Sequence, residues 1–111
     1  MTTNTTSRDG LVEVQLDGRL VASCAEEAQA AFDKALETGK NLLVDLSKMT
    51  HIDSSGLGVL VRTLQKARAA GGEMRLACLQ PHPRIVFDIT KVFRVFEIFD
   101  TVEEARKAFA R

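Results

Sequence analysis

The sequence predicts a single α/β domain with a mixed, mostly parallel sheet covered by about four helices, in the order ββαβαβαβα. Three observations carry this reading. Strand-type apolar stretches alternate with segments of helical periodicity, an Asp-Gly turn signal opens the series, and no linker or internal repeat divides the chain. A length of 111 residues fits one domain with a real core.

Each element has its own signal. Met1–Ser7 is polar and reads as a short flexible lead, so the folded domain is expected over 11–111 and the lead over 1–10. Leu11–Leu16 alternates apolar and polar residues, as a strand with one buried face does. Asp17-Gly18 then supplies a hairpin-type turn, and Arg19–Ala22 continues as a second short strand. Ser23 followed by Glu26 has the spacing of a capping box, which predicts a helix carrying Ala28, Ala31, Phe32, Ala35 and Leu36 on one face and ending at Gly39.

Asn41–Leu46 is almost wholly apolar and reads as a central strand covered on both faces. The next helix is expected from about Ser55 to Ala70, with Leu57, Leu60, Val61, Leu64 and Ala67 inward and Gly71-Gly72 at its end. Glu73–Leu79 alternates again. Pro81 and Pro83 precede a short helix holding Ile85, Val86, Phe87 and Ile89, and Val95–Phe99 is the last strand. Asp100-Thr101 opens a final helix, with Thr101 and Glu104 at capping-box spacing.

Composition removes several functions. Fifteen basic and 15 acidic side chains cancel, and no Lys/Arg run compensates, so nothing favours nucleic acid or anionic lipid. The apolar stretches fall short of the roughly 20 residues that cross a bilayer, and the N-terminus lacks the basic start and apolar run of a signal peptide. Cys24 and Cys78 form no CxxC pair and fit a reducing compartment, which makes the cytoplasm the expected location.

The chemistry concentrates in Asp53-Ser54-Ser55-Gly56-Leu57-Gly58-Val59-Leu60. These residues fall where a strand becomes a helix, at the carboxyl end of the presumed central strand, where α/β sheets place their sites. Ser54 lies at or near the helix N-cap, where free backbone N–H groups and the positive end of the helix dipole would hold a phosphate. A simple cap by Asp53 or Ser54 is the plainer reading, but three capping residues stand in a row where one suffices. Both readings stay open on the residues alone.

Catalytic readings do not hold. His51, Asp53 and Ser54 are too close in sequence to form an ordered relay, no G-x-S-x-G elbow is present, and His51 reads as a loop residue. His82, between two prolines, has no second ligand at metal spacing, so no metal is expected. Gly56-Leu57-Gly58 lacks the third glycine of a dinucleotide loop and the lysine of a P-loop, so no cofactor is expected either. Gly58 reads as a close-packing glycine, whereas Gly56 keeps the surroundings of the hydroxyls uncluttered.

The octapeptide, with Ile52 and the apolar strand before it, closely resembles the signature of the anti-sigma factor antagonists, which are single-domain members of the STAS group (sulphate transporter and anti-sigma factor antagonist). The resemblance runs from about Leu11 to Phe109 and includes Asp17-Gly18-Arg19-Leu20, Gly71-Gly72-Glu73 and the terminal helix. It implies a STAS-like fold and a non-enzymatic partner switch. By motif, Ser54 is the residue that a serine-kinase anti-sigma factor phosphorylates, and a serine phosphatase reverses the step. Asp53, Ser54, Ser55, Gly56 and Leu57 would meet the partner, with Arg19 and Ser23 near the same rim. Val21 stands where many members carry an acid, so that contact is not carried over. The alternative within the group is a scaffold subunit of a transport or stress-sensing assembly, its serine unmodified.

Overall fold

The computed structural model describes residues 1–110 and places five strands in one sheet. The strands are β1 (Thr2–Arg8), β2 (Leu11–Leu20), β3 (Asn41–Ile52), β4 (Glu73–Ala77) and β5 (Ile98–Phe99), adjacent in that order. β1 runs antiparallel to β2, and every other pair is parallel. The helices are α1 (Ala25–Thr38), α2 (Ser54–Ala69), α3 (Pro81–Thr90) and α4 (Val102–Phe109). The chain therefore follows the ββαβαβαβα order.

Strand alternation divides the core in two. Val12, Val14, Leu16, Leu42, Val44, Leu46, Met74 and Leu76 face α1, α2 and α3, with Phe32, Leu60 and Phe87 among the helical residues that meet them. Leu43 and Ala77 point to the other face, where α4 brings Ala105. Covering on both sides explains why Leu42, Leu43 and Val44 of β3 are apolar in succession. Each parallel crossover steps one strand further, and the parallel β2–β3–β4 ends gather the loops before α1, α2 and α3 at a single edge of the sheet.

The opening hairpin differs from expectation. The polar N-terminal residues are not a flexible lead but the edge strand β1, paired with β2 from Thr2↔Asp17 to Arg8↔Leu11. The turn uses the other Asp-Gly pair, Asp9-Gly10, both at positive φ (53° and 82°), as a two-residue hairpin with a mirror-image turn requires. Gly18, at φ 103°, instead sits where the β2–β3 register shifts, so β2 runs on through it as one bulged strand.

Two further boundaries move. β3 continues from the apolar run through a polar stretch to Ile52, which puts His51 on a strand rather than in a loop. Val95–Phe99 is reduced to the two-residue β5, because Val92–Arg94 forms a turn of 3-10 helix and only Ile98 and Phe99 pair with β4. Among the described residues no helix is long and apolar enough to cross a membrane.

Candidate functional site at the start of the second helix

Asp53 is the pivot of the site. It leaves β3 in an extended conformation and caps α2, its Oδ1 accepting a hydrogen bond from the Gly56 N–H at 3.0 Å. Its Oδ2 accepts from the Ala22 N–H at 2.9 Å, across a sequence separation of 31 residues. One carboxylate thus ties the β3–α2 junction to the 3-10 turn Ala22–Cys24 that precedes α1. The backbone N–H of Gly56, followed by those of Ala22 and Ser55, holds the Asp53 carboxyl below the usual carboxylate range. Asp53 is therefore ionised at neutral pH.

Ser54 is consequently not the cap but the first residue of the helix, and it is exposed. No hydrogen bond engages its hydroxyl among the described residues. The Asp53 carboxylate already holds the Gly56 N–H, one of the helix N-terminal donors that a phosphate there would otherwise use. A phosphate on Ser54 would project to solvent beside a fixed negative charge.

The other expected residues separate into two groups. Ser55 is half-buried, while Arg19 and Ser23 are exposed on the same edge, Arg19 beside His51 in the β2–β3 ladder and Ser23 in the turn that Asp53 holds. Ser23 caps nothing, because the N-cap of α1 is Cys24, whose thiol donates to the Arg19 carbonyl at 3.1 Å. Gly56 and Leu57 turn inward: Leu57 is buried, and a Cβ on Gly56 would lie 2.2 Å from the Leu20 carbonyl oxygen. Neither offers a side chain to a partner. Gly56 is the close-packing glycine, whereas a Cβ on Gly58 would meet only the end of the Arg62 side chain.

Two residues set aside in the sequence also reach this edge. The rings of His51, from the end of β3, and His82, from the first turn of α3, meet edge to face with centroids 5.4 Å apart. The Ala22 N–H could not be found from sequence, since any residue type supplies one.

Compared with known families, residues 2–105 match the STAS domain. BtrV of Bordetella bronchiseptica is 30% identical over 102 residues, covering 91% of this chain and 88% of BtrV. The anti-sigma-B factor antagonist of Bacillus subtilis is 28% identical over 78% of this chain and 80% of its own length. The crystal structure of TM1081 from Thermotoga maritima superposes with a TM-score of 0.90 at 27% identity, covering 98% of this chain and 95% of that one. SpoIIAA, solved in unphosphorylated and phosphorylated forms, superposes with a TM-score of 0.74 in each, at 20% and 21% identity; the paired coverages are 99% and 98%, then 97% and 99%.

Proposed function

Because the chain belongs to the STAS domain family, among its anti-sigma factor antagonists, we propose that it acts as a phosphorylation-controlled partner switch. Proteins of this family bind partners and are not enzymes. The unmodified chain binds a serine-kinase anti-sigma factor and thereby releases that factor's target. Phosphorylation of Ser54 ends binding, and a serine phosphatase restores it. The cytoplasm is the compartment in which such a cycle runs.

The observation that carries this reading is the exposed, unengaged Ser54 hydroxyl directly after an ionised cap. Phosphorylation adds about −1.5 to −2 charges at neutral pH. The Asp53 carboxylate is fixed by two backbone N–H groups and cannot swing away, so the charges accumulate at one point of the rim. A partner surface fitted to a neutral hydroxyl then meets like charge and uncompensated desolvation, at a cost of several kcal/mol. The fold itself need not change, since the new charge lies in solvent and near the positive end of α2. ATP and magnesium belong to the kinase in this scheme.

The test is incubation of the chain with its cognate serine kinase and ATP, followed by mass spectrometry and a binding titration. Phosphate should appear on Ser54 and be absent from Ser54→Ala, and Ser54→Asp should bind the kinase at least about 100-fold more weakly, or about 2.7 kcal/mol. Tight binding without any modification of Ser54 would instead mark the scaffold role.

A further inference from the structure

The large apolar side chains that stand exposed fall in one segment: Ile85, Ile89, Phe93 and Val95 are 52%, 75%, 42% and 45% accessible. Ile85 and Ile89 are four residues apart on α3 and share a face. Pro83 and Phe87 are buried on the other side, Phe87 against Phe96 with ring centroids 6.4 Å apart. The inward side of α3 is apolar, and its exposed side carries Ile85 and Ile89 among His82, Asp88 and Thr90. Four large apolar side chains exposed within eleven residues exceed the scattered single apolar residues of an ordinary surface and point to an interaction surface. α1 shows the ordinary alternative, with Glu26, Glu27, Lys34 and Glu37 on its exposed side.

The patch is continuous with the Ser54 edge. A groove of about 150 Å³ is lined by His51, Ile52, His82, Pro83, Ile85 and Val86. One wall is the end of β3, directly before Asp53 and Ser54; the other begins the apolar face of α3. At the far margin Lys91 and Arg94 are exposed, the Arg94 guanidinium 6.0 Å from the Phe93 ring centroid; the exposed acids of the segment are Asp88 on α3 and Glu97, whose carboxylate is already paired with Arg75.

We propose that this face is the second half of the docking surface for the serine kinase, which meets it with an apolar patch bearing an acidic margin. The proposal rests on the switch reading above. It divides the labour within one interface: the α3 face supplies affinity by burying Ile85, Ile89 and Phe93, while Ser54 supplies control from the rim. Two cations, Lys91 and Arg94, offer too little attraction for stable membrane anchoring, and a membrane would not explain continuity with Ser54.

Calorimetric titration of the full chain against the kinase, identified by its transfer of phosphate to Ser54, tests this. Ile89→Ser and Phe93→Ser replace exposed side chains, and circular dichroism checks that both variants fold. Each should weaken binding about tenfold or more and slow Ser54 phosphorylation at limiting substrate. Wild-type affinity in both variants, with Ser54→Asp still defective, overturns the docking face and leaves the switch standing. Tight binding by Ser54→Asp overturns the switch, and losses in the two apolar variants would then still report the docking face. Cosedimentation with phosphatidylglycerol vesicles that both variants abolish, or a dimer in light scattering that both dissolve, assigns the face to another occupant and overturns the kinase.

Discussion

The starts of α2 and α4 solve the same problem by different means. Each helix has a capping side chain that accepts a hydrogen bond from the N–H three residues on: Asp53 from Gly56 at 3.0 Å, and Thr101 from Glu104 at 3.1 Å. At α4 the solution is local. Glu103 and Glu104 in the first turn complement the helix dipole, and all these residues are exposed. At α2 the first turn holds no acid, the cap reaches across to Ala22, and the third helical residue is jammed beneath β2. One start merely ends a helix well. The other joins two loops of the sheet edge and leaves a hydroxyl free.

The widest separation should come at the third helical position. Gly56→Ala puts a Cβ 2.2 Å from a backbone carbonyl that cannot move without disturbing β2, and should cost about 3 kcal/mol. Glu104→Ala, the equivalent change in α4, should cost only about 0.3 kcal/mol. Urea denaturation of the two variants measures both. Similar losses would mean that β2 yields at Leu20 and that the α2 junction is not rigid.

The caps come next. Asp53→Ala leaves the N–H groups of Gly56 and Ala22 without their acceptor and should cost about 2 kcal/mol, against about 1 kcal/mol for Thr101→Ala. The Asp53 cap is also sensitive to acid, and the Thr101 cap is not. The Asp53 carboxyl titrates below its unfolded value, near 3.9, so its stabilisation is complete above that pH and fades as pH falls through the lower folded value. Stability measured from pH 6 downward should fall less steeply in Asp53→Asn than in wild type, whereas Thr101→Ala should keep the wild-type slope. Parallel slopes in wild type and Asp53→Asn would contradict an ionised cap.

The contrast also explains what was legible in the sequence. Helical periodicity located α2 within a residue at each end, and capping-box spacing found Thr101, because those signals are local. Among Asp53, Ser54 and Ser55 the cap could not be chosen, since the deciding partner is a backbone N–H 31 residues away. β1 was hidden for a related reason. As an edge strand whose Thr-rich residues are almost all exposed, it has no apolar alternation, and its turn competed with a second Asp-Gly pair. Past Leu46, β3 exposes Ser47, Lys48, Thr50 and His51 around the single buried Met49 and is held largely by pairing with β2, so His51 read as a loop residue. The outer face of α3 was visible as residues but not as surface, because Ile85 and Ile89 look like core until Phe87 is seen to fill that role.

The smallest stability effect should fall at the residue with the largest effect on binding. Ser54→Asp adds an acid to a first turn that has none, which the helix dipole favours by about 0.5 kcal/mol, and sets it beside an ionised Asp53, which opposes it by a similar amount. The two nearly cancel, so the variant should unfold within about 0.2 kcal/mol of wild type while losing its kinase. At α4 no such cancellation exists: Glu103→Gln removes a favourable charge and should cost a few tenths, about 0.3 kcal/mol. Thermal denaturation of Ser54→Asp beside its binding titration separates the terms. A large drop in melting temperature would mean that charge at Ser54 acts by disrupting the α2 junction. An unchanged melting temperature with binding lost places the effect at the partner's surface, which is what a hydroxyl spared from capping allows.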